Sequence, residues 1–448
     1  METESEFVNL LVEIPGTVKD KFDSVAKEWR SCMTGDETIK RHASVRRMEK
    51  VPKCLLQTKK GRRNSECYEP AVVSLGPYHH NKLVLAQAEN YKLVTLQEFC
   101  LSTRKAIDEL YHEVFKVVHD ARKCYIDGST DAYSDREFCQ MMLRDGCFIV
   151  FFMEGMTYGE SKLMLTNEYL GTTEILNIPG DIFLLENQIP FLVLQVLLQL
   201  KSPKDKGEGI LNGFFNYLNR GVALTTLRKK VLQDKQQPLH LLELYRSYFI
   251  SPYPATKDAD YNYVKRNRYF ASATELKNKW IFLDQATEDN MTFRRRGLYG
   301  EFKITRRAVS TYTKAIYLNM IAYEMCPHNP NDFRVSSYVR VMKSLIMQES
   351  DVKELRDRKI LVHGLGRDED VVKIFDEIEV PAVNLYMYNE LRQQIGKLHK
   401  TKFKTWLREL IVDYFSSPWK ALGLLFGFAV IIASFVQTYF TINPPKGH

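Results

Sequence analysis

The sequence predicts a mainly α-helical body with a small β insertion, followed by one C-terminal transmembrane helix. Three observations carry that reading. Apolar residues recur at three- and four-residue steps over long stretches, strand-like pieces are confined to about residues 279–305, and one run near the end, Ala421–Ile442, holds no charge. With 45% hydrophobic and 26% charged residues, the 448-residue chain is globular rather than disordered or fibrous. No internal repeat and no low-complexity segment appears.

Residues 1–50 read as a variable, charged and partly helical leader. The opening "METESEFVNLLVEIPG" has acids where a secretory signal needs bases, and Asn9 and Glu13 break its apolar run. The eight cysteines form no C-x-x-C pair, so they read as reduced thiols in a cytosolic body. A helical domain is expected over residues 51–415. Its first long helix runs from Gln87 to Tyr125, with a stripe of Leu93, Leu96, Cys100, Ile107, Leu110, Val114, Val117 and Ala121. Arg136–Met156 is a second helix, too apolar for a surface.

Gly180–Leu200 is a third, carrying Glu186, Asn187 and Gln188 in its middle and Pro190 just after them. A central acid costs about 2.5–3.5 kcal/mol in a bilayer, and a proline frees a backbone carbonyl there. A kinked, buried core helix is the expectation, its polar triplet satisfied by neighbouring helices. More helix follows over Ile210–Phe249. Residues 251–268, with two prolines and scattered charge, form the best internal boundary. "KWIFLDQ", "NMTFRRR" and "GEFKIT" are the strand-like pieces, and helical patterning resumes from Ser310, with a loop at Cys326–Asp332.

Candidate chemistry is sparse. In "VVSLGPYHH" (Val72–His80), two histidines follow a Gly76-Pro77-Tyr78 turn. Adjacent residues of a strand face opposite ways, so His79 and His80 are poorly spaced to hold one ion. The reading is a structural turn whose rings hydrogen-bond to nearby backbone. No phosphate-binding loop, serine elbow or H-E-x-x-H motif is present. "HGLGRDED" (His363–Asp370) lacks the third glycine of a dinucleotide loop and reads as a helix start. Arg294, Arg295 and Arg296 read as a solvated hairpin edge, and Cys147 as packing. Basic residues are spread among acids along the chain, so no nucleic-acid partner is expected.

The chain resembles, from about residue 50 onward, the plant "domain of unknown function 247" proteins, also called uncharacterised protein family 0481. Collinear stretches carry the likeness, among them "YEPAVVSLGPYHH", "FCQMMLRDGCFIV", "DIFLLENQIPFLVL", "SSYVRVMKSLI" and "SSPWKALGLLFGFAVIIASFVQTYF". They place Gly76, Pro77, Tyr78, His79, His80, Asp145, Gly146, Cys147, Glu186, Asn187, Gln188 and Pro190 among the family-signature residues, with no role attached. Phe151 stands where the family usually has an acid, Asn81 where a glycine commonly follows the histidines, and His240 is retained in a looser helical segment. The resemblance implies a mostly helical plant protein with a C-terminal membrane segment, no known enzyme activity and no cofactor. Some grass members look like determinants of pollen–stigma self-incompatibility, which implies recognition by protein contact.

The functional expectation is a membrane-anchored recognition or scaffold protein with an unknown protein partner and room for a homo-oligomer. The alternative is an unrecognised enzyme whose pocket is lined by Glu186, Asn187, Gln188, His79 and His80. The anchor expectation rests on residues 419–442. The 22 residues of Ala421–Ile442 would span about 33 Å against a hydrocarbon core of about 30 Å, with Trp419 and Tyr439 near the interfaces. Arg392, Lys397, Lys400, Lys402, Lys404, Arg408 and Lys420 precede it, and Lys446 in the short tail 443–448 follows. That bias keeps the body cytoplasmic, with the plasma membrane expected, and leaves the sequon at Asn290 without glycan.

Overall fold

The computed structural model describes residues 46–58, 63–159, 170–219, 237–250, 270–286, 291–297, 299–329, 331–399 and 418–442. Most of the leader, the 251–268 boundary, the tail and Asn290 therefore lie outside the described residues. Helices α1 (Lys53–Gln57), α2 (Ala86–Thr103), α3 (Ile107–Phe115), α4 (Val118–Lys123) and α5 (Asp135–Tyr158) open the body. Then come α6 (Thr172–Ile182), α7 (Phe191–Lys201), α8 (Glu208–Leu218), α9 (Leu241–Phe249) and α10 (Ala273–Asn278).

The helix α5 is the centre of this half, packed by α2, α3, α7 and α8. Its start is a capping box, in which Ser134 Oγ accepts from Glu137 N–H and the Glu137 carboxylate accepts from Ser134 N–H. Nearly every side chain from Phe138 to Phe152 is buried, as its composition predicts. At Gly146 an added Cβ would lie 2.4 Å from Leu197 Cδ1, so the missing side chain lets α7 approach closely.

The expected helix from Gln87 to Tyr125 is instead three helices. Arg104 adopts a left-handed conformation (φ 56°) and its N–H caps the carbonyls of Cys100 and Leu101, ending α2. The buried face of α2 is Ala88, Tyr91, Lys92, Thr95, Leu96 and Phe99, and Leu93 and Ile107 of the expected stripe are exposed. The segment Gly180–Leu200 is buried as expected, but it is two helices joined by a turn. Pro190 has no N–H to continue a helix and stands at the cap of α7, pairing across to His240.

The β insertion is a three-stranded sheet of β1 (Ile281–Gln285), β2 (Thr292–Arg296) and β3 (Tyr299–Ile304), ordered β1-β3-β2. β1 runs parallel to β3 and β2 antiparallel to it. Ile281, Leu283, Phe302 and Ile304 face inward with period two. Arg294–Arg296 lie exposed on the edge strand β2, as the charge pattern predicts.

A parallel pair unmarked in the sequence follows, β4 (Arg307–Val309) with β5 (Leu361–His363). Around it stand α11 (Thr313–Met325), α12 (Arg334–Leu345), α13 (Glu349–Asp357), α14 (Asp368–Glu377) and α15 (Asn389–His399). "HGLGRDED" does run into the start of α14, with His363 Nε2 and Arg356 Nη1 held 2.8 and 2.9 Å from the Asp368 carboxylate. Aromatic contacts tie the halves together, from Phe152 through Phe214, Phe183, Tyr245, Phe249 and Tyr317 to Phe375. Each such pair adds about 0.5–1.5 kcal/mol beyond area burial.

The terminal expectation is overturned. Residues Pro418–Ile442 form a helix, α16, but among the described residues no helix is long and apolar enough to cross a membrane. The transmembrane helix expected over Ala421–Ile442 is therefore not part of the fold.

Candidate functional site

The signature residues, dispersed in sequence, meet in one place. The strand-like segment 71–76 belongs to no sheet, and side chains replace the missing strand partner. Asp181, at the end of α6, accepts from the N–H groups of Ala71, Val72 and Val73 at 2.9, 2.7 and 2.9 Å. Asn187 continues the ladder: its Oδ1 accepts from Leu75 N–H at 2.7 Å, and its Nδ2 donates to Val73 and Asp181 carbonyls. Asp145, on α5, accepts from Gly76 N–H at 2.7 Å. Buried backbone donors demand partners, and these three side chains supply them.

The turn itself needs Gly76. Its φ is +70°, and a Cβ there would lie 2.6 Å from Gln188 O and 2.8 Å from Tyr125 Oη. Tyr125 donates to that same Gln188 carbonyl at 3.0 Å. Gln188 Nε2 donates to Ile182, Leu184 and Asn187 carbonyls, and its Oε1 accepts from Leu242 N–H. Glu186 accepts from Val51 N–H at 2.8 Å, and Tyr78 donates to Met48 O at 2.7 Å. The polar triplet is satisfied, chiefly by backbone of its own turn and of Val51, Val73 and Leu75; of the neighbouring helices expected to supply partners, α9 does so through Leu242 N–H.

Beneath the turn lies an ionic cluster that the sequence reading missed. Lys92, fully buried on α2, stands 2.7 Å from Asp145 and 2.6 Å from Glu89, and donates to Ser74 O at 2.5 Å. Burial pushes the Asp145 carboxyl up, with the Lys92 ammonium pulling it back. Burial also pushes Glu89 up, but Lys92 and Ser74 offset this and hold it below the usual range. Asp181, buried and without a cation, is pushed up to about 6 despite its three N–H bonds.

The histidines depart from expectation. The two nitrogens of His79 and Nδ1 of His80 have no hydrogen-bond partner among the described residues. His79 is buried with Nδ1 3.6 Å from Glu69, and burial lowers it to about 4. His80 sets its ring edge against Tyr133, and burial lowers it too. The backbone hydrogen bonds expected of these rings are therefore not made by those three nitrogens. Asn81, where the family commonly has glycine, has φ +65°, a conformation asparagine tolerates. Phe151 is buried with its ring 6.4 Å from Tyr91, and Cys147 is fully buried with its thiol pushed well up.

A second buried cluster fixes the other half. Glu324 on α11 accepts from the N–H groups of Val335 and Ser336, from Ser336 Oγ and from Arg246. It thereby caps α12 from outside the helix, where the dipole favours an anion. Arg246 also pairs with Asp332. His240 caps α9, its Nδ1 accepting from Glu243 N–H at 3.2 Å.

These groups build rather than line a cleft. The amides of Asn187 and Gln188, expected to line a pocket, are spent on buried carbonyls and N–H groups. Among the described residues no group of three or more His, Cys, Asp or Glu is placed to hold a metal ion. A family described as "Plant protein of unknown function" matches residues 48–433. A UPF0481 protein of Arabidopsis thaliana is 24% identical over 425 residues, covering 86% of each chain. A putative UPF0481 protein of the same plant is 19% identical over 482 residues, covering 87% of this chain and 89% of its own. No solved structure matches significantly. The signature that folds inward onto Asp145, Asp181 and Asn187 thus lies within a match spanning nearly the whole body, and the chain belongs to the DUF247 family of plant proteins of unknown function.

Proposed function

We propose that the protein is a recognition or scaffold body that acts through contacts with another protein. The observation that carries this reading is an exposed apolar pair beside the signature turn. Leu83 and Val84 are 91% and 86% exposed, in a single 3₁₀ turn, Leu83–Leu85. Leu85 of the same turn is buried and donates its N–H to Lys82 O at 2.9 Å, and Lys82 pairs with Glu69. The pair is therefore carried on a fixed support, so little ordering entropy opposes its burial by a partner. Burying such side chains contributes roughly 1.5–3 kcal/mol each.

The test is quantitative affinity capture from the source plant's tissue, with the wild-type full chain and a Leu83→Asp/Val84→Asp variant of equal thermal stability as baits. The reading expects at least one saturable partner whose recovery falls tenfold or more in the variant. Identical recovery across both baits would overturn it. The finer form, self-incompatibility-type recognition, requires in addition that this partner occur in pollen or stigma.

A further inference from the structure

We infer that the cavity between α12, α15 and the segment leading into α15 is a binding site for a small organic carboxylate. Its volume is about 280 Å³, and Arg340 of α12 and Arg392 of α15 both line it. Neither arginine is within ion-pair distance of a carboxylate among the described residues. Arg340 spends Nη2 on Val380 O at 2.6 Å, and Arg392 spends Nη1 on Leu385 O at 3.3 Å. Among the described residues Nη1 of Arg340 and Nη2 of Arg392 make no hydrogen bond, and both Nε atoms are buried without a partner. Burial holds the Arg392 guanidinium below its usual range, with only the Tyr388 hydroxyl opposing.

A guanidinium group facing a partly buried cavity is costly to desolvate without a counter-charge, and two of them line this one. Two buried cations elsewhere in the body have carboxylate partners, Arg246 with Glu324 and Lys92 with Asp145, whereas Arg307 is buried against the Phe249 and Tyr338 rings. Here the missing charge is an anion from outside. The cavity is also prebuilt. Ser337 Oγ accepts from Asn384 N–H at 2.9 Å, and with the two arginine–carbonyl bonds it pins residues 380–385 as a wall. Arg392 lies over the Phe270 ring at 5.5 Å, which fixes its plane. Each arginine offers one free terminal N–H group, which suits the two oxygens of a carboxylate. Pro381, Ala382 and Val383 supply an apolar surface for the rest of the ligand.

The test is isothermal titration of the purified full chain with sodium benzoate, 4-methylpentanoate and inorganic phosphate. One of the carboxylates should bind saturably and more tightly than phosphate. Its affinity should fall at least tenfold in Arg340→Met and in Arg392→Met. Val383→Trp, which fills the cavity and keeps both arginines, should abolish binding and decides the matter where an arginine variant fails to fold. Absence of binding by both carboxylates, tighter binding of phosphate, or undiminished affinity in Val383→Trp would overturn the inference.

Discussion

Replacing Lys92 by methionine removes the one cation that, among the described residues, pairs with Asp145, while nearly conserving volume. The Asp145 carboxylate is 1% exposed and would keep a single partner, the N–H of Gly76 at 2.7 Å. Ser74 O would lose the donor now 2.5 Å away, and Glu89 the ammonium at 2.6 Å. Breaking a buried ion pair from one side costs about 3–5 kcal/mol, and the orphaned carbonyl about 1–3 kcal/mol more where water cannot reach it. Protonation of Asp145 limits the total, since a neutral carboxyl avoids the buried charge. The expected loss is therefore about 4 kcal/mol near pH 8, measured by equilibrium urea unfolding followed by near-ultraviolet circular dichroism.

The pH dependence of that loss is the sharper readout. With Lys92 gone, the folded-state pKa of Asp145 rises further above its unfolded value of 3.8. An acid raised on folding contributes stability at low pH that is lost as pH rises through the folded value. The cost of Lys92→Met should therefore shrink between pH 8 and pH 5. Adding Asp145→Asn should recover part of it, because the amide oxygen still accepts from Gly76. A loss under about 1 kcal/mol, or a loss independent of pH, would refute the assignment of Lys92 as the structural counter-ion.

Gly76→Ala forces a left-handed residue to carry a Cβ 2.6 Å from a backbone oxygen; thermal unfolding should show a loss of more than about 2 kcal/mol. Glu324→Gln keeps the shape but weakens the cap of α12 and leaves Arg246 with Asp332 alone; it should cost about 3 kcal/mol in the same urea assay. Burial lowers His240 to about 4 from 6.5, so its contribution is present above pH 6.5 and lost as pH falls toward 4. Asp181, raised to about 6, works in the opposite direction over the same range. The difference between wild type and His240→Asn cancels that term, and wild type should lose on the order of 3 kcal/mol more between pH 6.5 and 4.

Read by itself, the sequence determined what local chemistry can determine. The apolar run of α5, the period-two strands, the exposed arginines of β2 and the acidic start of α14 all follow from residue type and spacing, because each is decided within a few residues. Local signals misplaced the face of α2, since Lys92 counts as polar in any periodicity although Asp145, 53 positions away, neutralises it in the core. They also ran one helix through Arg104, which ends α2 in a left-handed conformation usually given to glycine.

The site shows the division most clearly. Gly76, Asp145, Asn187 and Gln188 stand out in the sequence as signature residues, but nothing in it says that they touch. Only tertiary structure lays segment 71–76 against α5 and the turn before α7, with no neighbouring strand to take its hydrogen bonds. Asp181 and Asn187 then become its partners, because buried N–H groups must be satisfied by whatever packing brings near. Pairing across more than a hundred residues has no period and no motif, so the fold alone decides it.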